Sequence, residues 1–236
     1  TVNGGTLEVT GNSLNDTKKL VINAGKVDPS GSTETVDTLY FGATQKAAGT
    51  WGATGSGATN IDDTYFTGTG VVNVITGPPT PYDIWATSTG ATGGKTADPD
   101  GDGISNLMEF ATNANPTSGS SGARVYPKMF EIAGEDVLTY TVAVRTGASF
   151  ANGATDAVKQ EASIDGVKYT IEASNELGVW NVVDVDELDS TTSTAVRATL
   201  TLPTLDSGWE WHSFRTDGNI ASDNSDYIRL SVTDTP

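Results

Sequence analysis

Apolar and polar positions alternate in short runs from the first residues onward. Within Thr6–Thr10, Leu7 and Val9 fall on one side of an extended chain. Leu20–Ile22, Leu39–Phe41 and Val71–Ile75 are short apolar runs, and Gly or Asn punctuates the stretch (Gly4-Gly5, Gly11-Asn12, Asn23-Ala24-Gly25). Runs of this length between turn residues predict strands, so residues 1–77 are expected to form a wound β-region, either the end of a β-solenoid or a sandwich.

The pattern changes at Gly77-Pro78-Pro79-Thr80-Pro81, where prolines remove donors and stiffen the chain. Thr80 can cap a helix, with Pro81 in its first turn and Asp83 three residues on. Tyr82, Trp85 and Ala86 would share one face of that helix. A second short helix is predicted over Asn106–Thr112, with Leu107, Phe110 and Ala111 inward. Residues 116–123 read as a flexible linker, which closes a small helical unit at 78–123.

Strand-like alternation resumes at 124–236. Val137–Arg145 places Leu138, Tyr140, Val142 and Val144 on one side, and Asp165-Gly166 signals a tight turn. Further strands are expected at Val167–Ala173, Trp180–Val185, Ala195–Leu202, Glu210–Arg215 and Tyr227–Val232. About seven strands at this spacing predict an immunoglobulin-like β-sandwich, and the chain as a whole reads as all-β.

Composition narrows the chemistry. The 236 residues carry a formal charge of −17, no Cys and a single His, His212. Thiol nucleophiles, disulfides, Cys-based zinc sites and zinc sites built mainly from His are excluded, while the absence of Cys says nothing about compartment. Phosphate backbones repel so acidic a chain, so no nucleic-acid partner is expected. No run approaches the ~18 apolar residues of a membrane helix, so no membrane insertion is expected. The chain opens on Thr1 already in a strand-like pattern, without an initiator Met or signal peptide, and so reads as a processed product or excised fragment.

The most specific motif is Asp98-Pro99-Asp100-Gly101-Asp102-Gly103-Ile104-Ser105-Asn106-Leu107-Met108-Glu109. Its carboxylates, Gly, Asn and terminal Glu have the spacing of a twelve-residue calcium loop. Ca²⁺ takes about six to eight oxygens, several of them charged. Asp98, Asp100 and Asp102 would supply carboxylates, Ile104 its carbonyl beyond the Gly103 turn, Asn106 a direct or water-mediated contact, and Glu109 both carboxylate oxygens. The apolar residue stands at Ile104 rather than at Ser105, and no second such loop is present, which argues for structural calcium rather than a regulatory pair.

Asp98–Glu109, followed by Phe110 and Asn113-Ala114-Asn115-Pro116, resembles the calcium modules of secreted bacterial proteins related to thrombospondin type 3 and dockerin-like loops. Tyr82-Asp83-Ile84-Trp85-Ala86 is similar to the aromatic helix that precedes many of them. Val2–Leu7, Val36–Phe41, Ala48–Gly52 and Phe66–Val74 resemble the last coils of autotransporter-associated β-strand repeat proteins. Tyr169–Ser174 and Gly208–Trp211 resemble the sandwich that often ends such chains. The resemblance implies an extracellular or cell-surface, non-catalytic, β-rich surface or matrix protein.

Other candidates are weaker. His212 lies in an alternating strand without a nucleophile signature, so no catalytic residue is expected. Trp51, Trp85, Trp180, Trp209 and Trp211 could form a sugar platform or fill cores, and a glycan is a possible partner. Asp217, Asp223, Asn224 and Asp226 cluster near a loop that could take a second calcium, though a plain polar turn is the favoured reading; Asp62-Asp63 is weaker still. A few β-coils expose their ends unless something stacks on them. Thr1–Thr10 could therefore be completed by an upstream solenoid or by another subunit, the latter giving a homo-polymer by strand addition. The leading expectation is a calcium-stabilised fibre or matrix protein in which the loop also sets the angle between the two β-regions. The alternative is a carbohydrate-binding or adhesive module.

Overall fold

A computed structural model describes residues 1–154, 158–176, 178, 180, 183–217 and 227–235. The fold is all-β with three short helices, and the chain divides into two compact units, Thr1–Pro79 and Thr80–Pro236. None of the described helices is long and apolar enough to cross a membrane.

The first unit contains β1 (Val2–Glu8), β2 (Lys19–Asp28), β3 (Thr33–Val36), β4 (Thr38–Phe41), β5 (Thr44–Gln45), β6 (Gly49–Gly52), β7 (Asn60–Ile61) and β8 (Val71–Val74). They form two sheets, ordered β1-β2-β4-β5 and β3-β8-β6-β7. β1/β2, β2/β4 and β3/β8 are parallel pairs. Parallel neighbours need a crossover, and between β2 and β4 that crossover is β3, a strand of the other sheet. Apolar side chains from both sheets, among them Ile22, Leu39, Val36 and Val72, meet in one core with Val27 and Phe66. At the irregular β1/β2 pairing, a Cβ on Gly25 would lie 2.2 Å from the carbonyl oxygen of Gly5, so only glycine fits there. β1 pairs with β2 of its own chain rather than being left for a neighbour, and it forms a sheet edge with all its residues after Val2 exposed. Leu7 and Val9 do not share a fate: Leu7 is exposed and Val9 is buried beyond the strand end.

The second unit begins with α1 (Pro81–Thr89) and α2 (Asn106–Thr112). It continues with β9 (Val125–Ile132), β10 (Glu135–Arg145), β11 (Ala151–Asn152), β12 (Gln160–Ile164), β13 (Val167–Ser174), β14 (Val185–Glu187), α3 (Ser190–Ala198), β15 (Trp209–Thr216) and β16 (Tyr227–Asp234). The sheets β14-β15-β10-β9 and β11-β12-β13-β16 make a sandwich. Tyr140, Val142, Val144 and Phe214 from one sheet meet Val167, Tyr169 and Ile171 from the other. Edge strand β9 carries Pro127, where a missing donor costs no ladder bond. Asp165 and Gly166 turn the β12–β13 hairpin with positive φ at both positions, as that dipeptide predicts.

Two expectations change. Ala195–Leu202 is not a strand: Ser190–Ala198 is helix, capped by the Asp189 carboxylate, which accepts from the Thr191 and Thr192 amides. α3 packs on β15 with Ser193 and Val196 inward, and Arg197 donates to the Ser213 hydroxyl on the strand face opposite Phe214. β10 is accordingly buried on both faces along much of its length, Thr139, Thr141 and Ala143 as well as Tyr140, Val142 and Val144. Of the strand expected at Trp180–Val185, residues 181 and 182 lie outside the described residues; the described part shows a bridge at Val183 and a regular strand at Val185–Glu187.

The helices do not stand apart from the sandwich. Tyr82 and Trp85 of α1 and Leu107, Phe110 and Ala111 of α2 lie in the same core as both sheets. α2 contacts β10 of one sheet and β16 of the other. The Tyr169 hydroxyl ties the junction, donating to the Ala111 carbonyl and accepting from the Arg145 amide.

Candidate metal centre

The loop before α2 is folded by its own carboxylates. Asp98 accepts from the Gly101 and Gly103 amides at 2.8 Å each, and Asp102 accepts from the Ile104 amide at 2.8 Å. Gly101 and Gly103 both adopt positive φ, which lets the backbone wind tightly around the acidic side chains. These bonds, the Gly103 amide foremost, hold the Asp98 carboxyl below its ordinary pKa. One carboxylate oxygen from each of Asp98, Asp100 and Asp102 lies within 4.8 Å of the others.

The exit from the loop is fixed by α2. Ser105 caps the helix, its hydroxyl accepting from the Met108 amide. Asn106, expected as a ligand, spends both amide protons on the carbonyls of Thr92 and Gly94, at 2.8 Å each. It thereby anchors the loop to the preceding turn, while its own carbonyl oxygen is buried without a hydrogen-bond partner. The Asn106 and Leu107 amides donate to Ala97 and Lys95. From the other side Gly119 comes close enough that a Cβ there would lie 3.3 Å from the Asp100 carbonyl oxygen.

Glu109, one turn into α2, is fully buried, and neither carboxylate oxygen has a hydrogen-bond partner. One oxygen of Asp100 is buried and unpartnered as well. Burial, then the charges of Asp100, Asp102 and Asp98, push the Glu109 carboxyl up to about 7. A buried carboxylate with no donor costs several kcal/mol unless a proton or a cation balances it. The second unit adds to this demand, holding 23 of the 30 acidic residues but nine of the 13 Lys and Arg. Buried orphan oxygens and clustered carboxylates fit a hard cation taking oxygen ligands. The contacts described for the loop lie inside the second unit, so its effect is expected there rather than on an angle between units.

The other sequence candidates are dispersed. The His212 ring meets the Glu187 carboxylate through Nδ1, lies 3.5 Å from Glu210 Oε1 through Nε2, and packs against Phe150. The tryptophans form no common platform. Trp51 meets Phe41 edge-on, Trp180 lies beneath Arg229, and Trp211 packs on Tyr126. Trp85 and Trp209 do come together around Phe110, an association invisible in the sequence because over a hundred residues separate them. Asp62 and Asp63 serve turns, accepting from Thr64 and Thr54. Asp217 pairs with Arg215, whereas Asp223, Asn224 and Asp226 lie outside the described residues. No family model, curated protein or solved structure matches the chain.

Proposed function

We propose that the protein is a calcium-stabilised, non-catalytic structural module that works outside the cell and assembles end to end into a fibre or matrix. The observation that carries the calcium reading is Glu109, buried beside three aspartates with both oxygens unpartnered. Asp98, Asp100, Asp102, Glu109 and the Ile104 carbonyl would hold the ion, with Asn106 reaching it directly or through water. Calcium would supply charge neutralisation and cross-linking of loop to helix. Through Phe110 and Ala111, that cross-link would seat α2 in the sandwich core.

Assembly draws its support from β1. An exposed strand at a sheet edge offers unpaired backbone groups to another chain. Pairing of β1 with a different edge of the next copy, such as β5, would be heterologous and would extend into a polymer. The loop's resemblance to modules of secreted proteins supports the extracellular setting, where calcium is abundant.

Scanning calorimetry of the wild type and of Asp100→Asn/Asp102→Asn, with calcium and with chelator, tests the ion. The wild type should melt higher in calcium and the double variant should not respond; identical wild-type curves would sink the calcium reading. Electron microscopy of the purified chain in both conditions tests assembly, and monodisperse monomers throughout would remove it.

A further inference from the structure

A cleft of about 690 Å³ opens in the second unit, away from the acidic loop. Its walls are one face of α1, the turn after α2, and the approach to β15. Arg124 and Arg145 both line it, in a unit where acidic residues outnumber basic ones by more than two to one.

Arg145 is held ready. Its side chain is only 15% exposed, and its Nε donates to Asp165. The guanidinium lies 4.2 Å from the Trp209 ring centre and 4.9 Å from that of Phe110. Trp209 is itself fixed, its indole N–H donating to the Phe110 carbonyl. Stacking and one ion pair therefore fix the plane of the guanidinium, while neither terminal amino group has a hydrogen-bond partner among the described residues. A side chain at Gly208 would crowd them, since a Cβ there would sit 3.0 Å from one amino group and 3.4 Å from the other. Arg124 spends one N–H on the Thr204 carbonyl and has no ion pair among the described residues. A planar fork with free donors, in a cleft that a second guanidinium also lines, matches a carboxylate.

The rest of the lining is rich in hydroxyls and amides. Ser88, Thr89, Asn115, Thr117 and Ser207 face the cleft. So does Asp206, whose orientation is set by a reciprocal pair of bonds with Asn113. A small apolar patch, with Ile84 59% exposed beside Pro81 and Trp85, completes the wall. Trp209 cannot act as a sugar platform on the face that Arg145 covers. We infer that the cleft binds a saccharide bearing a uronic acid. The carboxylate would lie on Arg145 and Arg124, the ring hydroxyls on Asp206 and the Ser/Thr edge, and the ring's C–H face on Ile84. The volume suits a ligand of one or two rings.

The test is calorimetric titration of the full chain, at fixed calcium, with a diuronate, its methyl ester and a neutral disaccharide. The acid should bind, and the ester should bind about tenfold or more weakly, as expected when a charge-assisted pair is lost. Arg124→Ala, at a half-buried site, should bind the acid about tenfold or more weakly while melting like the wild type. Arg145→Lys should weaken it further, because an ammonium cannot present the fork. Equal binding of acid and ester would overturn the proposal, as would no binding of the acid or a stronger preference for a peptide α-carboxylate. Undiminished binding by Arg124→Ala would do the same, capture of the uronate through calcium at the acidic loop included. None of these outcomes depends on whether the chain polymerises.

Discussion

Each unit buries one glutamate completely, and the two could hardly be treated more differently. Glu34 of the first unit accepts from the Leu14 amide at 2.7 Å and from the Ser13 hydroxyl at 3.3 Å, and so pins the 11–17 loop to β3. Glu109 of the second unit accepts nothing and faces three aspartates. The first is satisfied by its own chain and is a structural residue. The second is left without a partner by the protein, and a proton or a cation would balance it. Burial of an acid alone therefore says little; the account of its oxygens says what it is for.

The contrast can be broken in several ways. The largest effect should come from calcium itself. At a thousandfold excess over its Kd, an ion bound only by the folded state adds about 4 kcal/mol, roughly 10 °C in the melting of a unit this size. Calorimetry should show the gain in the transition of the second unit and not the first. Glu109→Gln should abolish it, yet melt higher than the wild type in chelator at pH 8, since it removes the unbalanced charge. A lower melting temperature there would show that Glu109 is not strained.

Next is pH without calcium. The folded-state pKa of Glu109 is raised to about 7 from an ordinary 4.5, so the folded protein binds the proton more tightly than the unfolded chain. Stability from this group is therefore present below about 4.5 and is lost as pH rises through about 7. The loss is of the order of 3 kcal/mol, and it should vanish in Glu109→Gln. In calcium the dependence should reverse, because the ion needs the ionised form. Denaturant melts across pH 5 to pH 8, with and without chelator, measure both.

Glu34→Ala should cost about 2 kcal/mol by stranding the Leu14 amide, equally with and without calcium. The smallest change is Thr80→Ala, which removes the capping box of α1 in the same unit as Glu109. It should cost about 1 kcal/mol regardless of calcium. If calcium rescued it, the ion would be acting on the unit's overall charge and not on Glu109.

The loop, the capped α1 and the span of α2 were legible because each depends on local chemistry: oxygens at fixed spacing, a Thr–Asp capping pair, glycines where φ turns positive. The all-β class was legible from alternation. α3 was not, because Ser-Thr-Thr-Ser-Thr-Ala-Val has strand-like composition, and only the Asp189 cap and the sheet face beneath it favour helix. The isolation of Glu109 was not legible either. The motif names it as a ligand, but its burial comes from core packing that joins α2 to strands far along the chain. Asn106 shows the limit from the other side: the motif gives its place as a ligand but not the second task of its side chain, whose NH2 ties the loop to Thr92 and Gly94 while its Oδ1 is left unpartnered. The cleft at Arg145 has no local signature at all.

The seating of α2 has a consequence for how long the molecule survives. Phe110 is fully buried between Tyr82, Trp85 and Trp209, and Ala111 holds the Tyr169 hydroxyl, so the helix cannot leave without opening the end of the core. If the loop holds calcium as proposed, loss of the ion would act at the base of that helix and lower the barrier to its departure. Exposure of the 92–105 segment to proteases would then become the step that sets turnover. On the calcium binding proposed above, the chain would outlast proteases where calcium is plentiful and be cleared where it is scarce, with a single seven-residue helix timing the difference.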